Sequence, residues 1–124
     1  MAKSPEEVVR AFYRAYRARE RDEVGRLMAP EFRFTSPYDD AIDRETWFER
    51  CWAPGDQQQD FQIERCVASE DAVYMTYKVA VGGGKSFRNT ELHRVRDGLV
   101  ASVHVFFGET FSNGKFAAQT PPVK

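Results

Sequence analysis

Two strand-forming runs joined at Asp97-Gly98 constrain this chain more than any other part of it: Lys85 to Arg96, then residues 99–109. In the second run Leu99, Ala101, Val103, Val105 and Phe107 alternate with other residues, so with a side-chain period of two they form the buried face. A two-residue turn would set Arg96 opposite Leu99 and put Arg88, Arg94 and Arg96 into the core with Thr90 and Leu92. A three-residue loop of Arg96, Asp97 and Gly98, the glycine supplying the left-handed bulge residue, sets Val95 opposite Leu99 instead. The inward face then reads Phe87, Asn89, Glu91, His93 and Val95. An unpaired buried polar group costs about 1–3 kcal/mol, so three polar side chains spaced by two on an apolar wall predict a site.

The remainder supplies elements to enclose that wall. Ser4-Pro5-Glu6-Glu7 combines a serine N-cap, a proline at the first helical position and a glutamate three residues after the cap. The helix that follows carries Val9, Phe12, Tyr13 and Tyr16 on one face and Arg10, Arg14, Arg17 and Arg21 largely on the other. A second helix is predicted from Asp22 through Val24, Leu27 and Met28, ended by Pro30. Residues 31–36 read as a short strand closed by the turn-prone run Ser36-Pro37-Tyr38-Asp39-Asp40. Asp43 caps a third helix with Trp47, Phe48, Cys51 and Trp52, which stops at Pro54-Gly55 before a polar loop. From Phe61 onward the period is two: Phe61, Ile63, Arg65 and Val67 share one face, and Val73, Met75, Tyr77, Val79 and Val81 the next. Gly82-Gly83-Gly84 then turns the chain back, and setting Val81 opposite Lys85 places Tyr77 beside Asn89 and Met75 beside Glu91. Residues 110–124 lack periodicity and are expected to lie over the surface or be disordered.

Helices followed by a strand meander predict an α+β fold in which helices cover one face of an antiparallel sheet. The 124 residues fit a single domain, 1–124, with a core over about 5–109 and a C-terminal tail over 110–124. Net charge of -1 gives no reason to expect nucleic acid or an anionic membrane as partner. The apolar runs are too short to cross a bilayer, and the N-terminus enters a charged helix, not a signal-peptide core, so a cytoplasmic protein is expected. Cys51 and Cys66 lack metal or redox spacing and read as free thiols. His93 and His104 point to opposite sides of one strand pair, so no metal site is predicted. The mixed outward face with Val100, Ser102, His104 and Phe106 suggests a subunit contact and hence a homodimer.

The order of elements, the Asp-Gly hairpin, Asn89-Thr90-Glu91-Leu92-His93 before it and Val103-His104-Val105-Phe106-Phe107-Gly108 after it resemble the nuclear transport factor 2-like superfamily, which implies a cystatin-like fold, a cone-shaped curved antiparallel sheet wrapped around N-terminal helices. Within it the likeness is to SnoaL-like and ketosteroid isomerase-like proteins. That resemblance implies a small-molecule-binding protein with an apolar cavity and a cofactor-independent isomerase, cyclase or dehydratase chemistry, with a non-catalytic ligand-binding or dimeric interaction module as the alternative. It implies a hydrogen-bonding acid on the penultimate strand, where Glu91 stands. It also implies a proton-shuttling acid before a proline after the first strand; here Ser36 precedes Pro37, and Asp39 and Asp40 follow. The helix tyrosine of the same family falls at Phe12, with Tyr13 adjacent and Tyr16 one turn on.

The expected catalytic set is therefore Glu91, Asp40 and His93. The expected wall for a small apolar or aromatic ligand is Tyr13, Tyr16, Tyr38, Trp52, Tyr77, Asn89 and Val103, with no cofactor. Glu91 reads either as a general acid or base whose pKa an apolar cavity raises, or as the partner of an inward Arg65. His93 reads either as a proton carrier or as a hydrogen-bonded rim residue.

Overall fold

The computed structural model describes residues 3–52, 60–82, 84–113 and 115–117. The elements run α1 (Pro5–Arg17), α2 (Arg21–Arg26), β1 (Met28–Ser36), β2 (Asp39–Ile42), α3 (Arg44–Cys51), β3 (Asp60–Ser69), β4 (Ala72–Gly82), β5 (Lys85–Arg96), β6 (Leu99–Ser112) and β7 (Lys115–Ala117). The strands form one sheet in the order β2-β1-β6-β5-β4-β3, with β7 on β6. The sheet is mixed: all its pairs are antiparallel except β1 with β6, which is parallel. The expected meander holds from β3 to β6, but the expected all-antiparallel sheet does not, because β1 from the N-terminal half lies beside β6 and runs parallel to it.

α1 starts as its sequence dictates. Glu7 N–H donates to Ser4 Oγ at 3.2 Å, and Ser4 N–H donates to the Glu7 carboxylate at 3.0 Å. Its buried face, Val8, Val9, Ala11, Phe12, Tyr13 and Ala15, lies against the inner face of the sheet. α3 is capped likewise by Asp43, which accepts from Thr46 N–H at 2.9 Å. It delivers Trp47, 5% exposed, whose ring meets Phe12, Tyr16, Phe32, Phe34 and Trp52. The predicted stop of α3 at Pro54-Gly55 lies outside the described residues.

Five local expectations are corrected. α2 ends at Arg26, and Met28 and Pro30 belong to β1, not to the helix. The β1–β6 register breaks between Met28 and Arg33, and β2 pairs with β1 from Phe34 to Ser36 only, so a residue without an N–H interrupts no ladder there. The run at residues 36–40 is a hairpin, Ser36 opposite Asp39. The segment after Thr110 does not leave the fold at once: β6 continues to Ser112 and turns into β7.

The hairpin that sets the inward face is the fourth correction. Arg96 does stand opposite Leu99 across a two-residue Asp97-Gly98 turn, with φ of 54° and 76°. The arginines nevertheless stay out, because the register shifts between Arg94 and Val95, where Val100 and Ala101 are both buried. Below that bulge His93 faces Val103, Glu91 faces Val105 and Asn89 faces Phe107. The expected alternation therefore survives with a different turn. On the other side Tyr77 opposes Asn89 and Met75 opposes Glu91 as expected, but the glycine turn is the fifth correction: Lys85 stands opposite Gly82, not Val81, and a register shift between Ala80 and Gly82 restores the expected pairs.

Candidate functional site

Along the inner face of β5, Phe87 is half-buried, Asn89 and Glu91 are each 6% exposed, and His93 is fully buried. Their neighbours are apolar: Val103 and Val105 on β6, Met75 and Tyr77 on β4, and Tyr13 and Phe12 from α1. Glu91, His93, Asn89, Tyr13 and Tyr77 are brought into one hydrogen-bonded chain. Asn89 Nδ2 donates to Tyr77 Oη at 3.2 Å. Tyr77 donates to Glu91 Oε2. Glu91 Oε1 lies 3.2 Å from His93 Nε2, and Tyr13 Oη lies 3.1 Å from the same nitrogen.

The proton arrangement follows from the acceptors. His93 Nδ1 is 3.0 Å from the Val73 carbonyl oxygen, which only accepts, so Nδ1 carries hydrogen. Nε2 is then either a lone pair receiving a proton from Tyr13 or a protonated Glu91, or an N–H donating to the Glu91 carboxylate. One proton moved across the 3.2 Å gap interconverts a neutral acid with imidazole and a carboxylate with imidazolium. Tyr77 does not compete for that proton, since burial raises its hydroxyl pKa well above the ordinary value against the lowering by the Asn89 hydrogen bond. It remains a donor.

Arg65 is not part of this network. β3 shifts register between Ile63, opposite Tyr77, and Arg65, opposite Thr76, so Glu64 is an extra residue and every position beyond it changes face. Arg65 is exposed and Cys66 takes the inward place opposite Met75. The ion-pair reading of Glu91 with Arg65 is thereby excluded. Cys66 is a half-buried free thiol whose pKa burial raises.

Asp40 is exposed on β2. Its neighbour Asp39 is the engaged carboxylate, bridged to Arg50 Nη2 at 2.9 Å and accepting from Ser36 Oγ at 2.9 Å. Tyr38 is 38% exposed, its ring 5.5 Å from that of Phe107. Tyr16 and Trp52 are half-buried and meet edge to face at 5.5 Å. Burial raises the Tyr16 hydroxyl pKa while the charge of Arg19 opposes the rise. Sequence reasoning missed Phe61, which stacks on Tyr77 at 4.7 Å and on Tyr13 at 5.9 Å. It also missed three guanidinium groups resting on rings: Arg17 over Phe61, Arg19 over Trp52 and Arg21 over Phe48, at 5.2, 4.4 and 4.1 Å. A spacing of two across a helix end is no helical signal, which is why the pattern was not legible. Among the described residues no group of three His, Cys, Asp or Glu side chains is placed to hold a metal ion, and no helix is long and apolar enough to cross a membrane.

Solved structures share this fold at low identity. A proposed ketosteroid isomerase from Kribbella flavida is 21% identical, with a TM-score of 0.74 over 98% of this chain and 85% of that one. An NTF2-like protein of unknown function from Cytophaga hutchinsonii is 16% identical, with a TM-score of 0.73 over 87% and 93%. A LEH-like epoxide hydrolase from M. tuberculosis is 20% identical, with a TM-score of 0.69 over 84% and 82%. No curated protein matches the chain in sequence. The model of the SnoaL-like domain, however, matches residues 9–103, which takes in most of α1, both partners of the Glu91–His93 contact and the start of β6 as far as Val103, and the chain belongs to that family.

Proposed function

We propose that this protein takes an apolar or aromatic small molecule against the Tyr13, Tyr16, Trp52 and Phe61 end of its interior and transfers a proton on it, as a cofactor-independent isomerase, cyclase or dehydratase. The observation that supports this is the Glu91–His93 contact: a carboxyl and an imidazole 3.2 Å apart, in an interior with little water, arranged to hold one proton between them. In this reading Glu91 exchanges the proton with the ligand and His93 stores it. Tyr13, released when Nε2 becomes an N–H, donates to the oxyanion that develops, while Asn89, through Tyr77, holds the Glu91 carboxylate in place. Asp40, exposed on β2, has no part in the mechanism. The isomerase and epoxide hydrolase among the structural relatives fit a fold that carries acid-base chemistry.

The second reading, a ligand-binding or interaction module without chemistry, is favoured by the complete burial of His93 and by the Phe61 ring stacked over Tyr77. An enolisable aromatic ketone separates the two. With 2-tetralone in D2O, the catalytic reading expects the protein to raise the melting temperature and to accelerate exchange of the carbon-bound protons. Glu91→Gln then removes the acceleration at least 100-fold and keeps the thermal shift. A thermal shift without exchange leaves the binding module; neither effect defeats both readings.

The assembly we propose is a homodimer through the outer face of the sheet, where Tyr74, Leu92 and His104 stand in register and Phe106, 47% exposed, stacks on His104 at 4.3 Å. Phe106→Asp is expected to give a monomer of unchanged melting temperature by sedimentation and calorimetry.

A further inference from the structure

The arginines on the outer face of the sheet are used unequally. Arg88 gives all its guanidinium nitrogens to carboxylates, Nε and Nη2 to Glu64 and Nη1 to Glu109. Arg94 gives only Nη1 to Asp71, at 3.3 Å, and Arg96 only Nη1 to Glu31, at 3.1 Å. Arg33, exposed on β1, gives Nη1 to the Phe32 carbonyl at 2.9 Å and makes no ion pair among the described residues, the Asp43 carboxyl feeling its charge from farther off. Arg33, Arg94 and Arg96 thus each keep Nε and Nη2 without a hydrogen-bond partner among the described residues.

Those three meet in one place. Arg33 on β1, Ser102 on β6 and Arg94 on β5 stand in a single cross-strand row. At about 4.8 Å a strand, the two arginines begin about 10 Å apart with the serine between them. A cleft of about 390 Å³ opens there, lined by Glu31, Arg33, Asp71, Arg94, Arg96 and Ser102. Its origin is in the backbone: β6 changes register against β5 between Arg94 and Val95, and β1 changes register against β6 between Met28 and Arg33, so two irregularities fall at the same end of β6 and bend the sheet. Two carboxylates against three guanidinium groups leave one positive charge over. Both pairs that do form are solvent-exposed, of the kind that water nearly replaces.

We propose that this cleft binds a single phosphoryl group, that of free phosphate or of a small phosphate monoester, on the side of the sheet opposite Glu91 and His93. Arg33 and Arg94 approach from two sides and Ser102 lies between them, which suits a group with oxygens in three directions; one guanidinium already satisfies a planar carboxylate. Glu31 and Asp71 line the same cleft and, with a net charge of -1 on the whole chain, repel the further phosphates of a polymer.

The test is titration calorimetry with inorganic phosphate, phenyl phosphate and benzoate in about 50 mM sodium chloride. At least one of the two phosphates is expected to bind tenfold or more tighter than benzoate, and to weaken as the salt rises to about 500 mM. Equal binding of the two assigns the ligand to free phosphate, and tighter binding of the ester to a monoester. Arg33→Gln, at a residue with no ion pair to lose, lowers the affinity at least fivefold, and Arg33→Gln/Arg94→Gln at least twentyfold. Arg88→Gln removes the same charge from the same face and lowers it less than twofold. Benzoate bound as tightly as phosphate, affinity that survives in the double variant, or an equal loss in Arg88→Gln and Arg33→Gln overturns the proposal. So does the absence of phosphate binding, and a double variant that then sediments as a monomer where the unaltered protein is a dimer gives the cleft to a carboxylate of a second copy instead.

Discussion

Both faces of β5 carry charged and polar residues, and they are held in opposite ways. Inside, Asn89, Glu91 and His93 are bonded to Tyr77, Tyr13 and a backbone carbonyl with almost no access to water. Outside, Arg88 reaches Glu64 and Glu109, Arg94 reaches Asp71 and Arg96 reaches Glu31, all in contact with solvent. An exposed ion pair contributes about 0–1 kcal/mol because water offers each partner nearly the same stabilisation. A buried polar group has no such alternative, so losing its partner costs the whole desolvation penalty. One strand thus contains an inner set in which each member depends on the others and an outer set in which none does.

Removing Glu91 should have the largest effect. Glu91→Ala leaves Tyr77 without an acceptor and His93 Nε2 without its carboxyl partner, and is expected to destabilise the fold by about 3 kcal/mol in denaturant titration. Glu91→Gln, which can still accept from Tyr77 and donate to a neutral His93, should cost less than about 1 kcal/mol. Equal losses in the two would mean that packing, not hydrogen bonding, holds the inner face. Tyr77→Phe comes next, at about 1–2 kcal/mol, since it removes one donor and one acceptor from the middle of the chain. On the outer face Arg88→Ala should change stability by less than about 0.5 kcal/mol even though it breaks contacts with both Glu64 and Glu109. A loss as large as that of Tyr77→Phe would erase the distinction between the faces.

The smallest effect concerns the exposed helix caps. Backbone hydrogen bonds from Thr46 and Ser4 hold the Asp43 and Glu7 carboxyls below the usual carboxylate range. A depressed folded pKa contributes stability that is complete above the unfolded value and is lost as pH falls through the folded one. The melting temperature should therefore decline as pH falls below about 4, and less steeply in Asp43→Asn, which keeps a capping oxygen and has no charge to lose.

How much of this was legible in the chain depends on where the period of two is unbroken. From Ala72 to Tyr77 and from Asn89 to His93 it is, and the inward row of Asn89, Glu91 and His93 and its register against β4 could be read directly. The hairpin turn could not, because a bulge at the turn and a bulge at Ala101 produce the same alternation farther down. Arg65 was misplaced because the extra residue at Glu64 leaves no compositional mark: its neighbours alternate plausibly in either reading. β7 rests on backbone pairing between residues with no apolar rhythm, and β2, four residues long, is too short to show one. For the site, the residue types were visible but their mutual bonding was not. Tyr13 and His93 lie 80 positions apart and meet only because α1 crosses the inner face of the sheet.

The irregular step in β3 has a further consequence for the protein outside its own fold. β3 ends the sheet, and one of its sides is unpaired among the described residues over the ten positions from Asp60 to Ser69. A long, flat margin of that kind invites another polypeptide to add itself as the next strand. The additional residue at Glu64 interrupts the run of evenly spaced backbone donors and acceptors midway and stations two charged groups, Glu64 and Arg65, at the interruption. The same local defect that keeps a cation away from the buried acid therefore also blunts the margin as a template for aggregation.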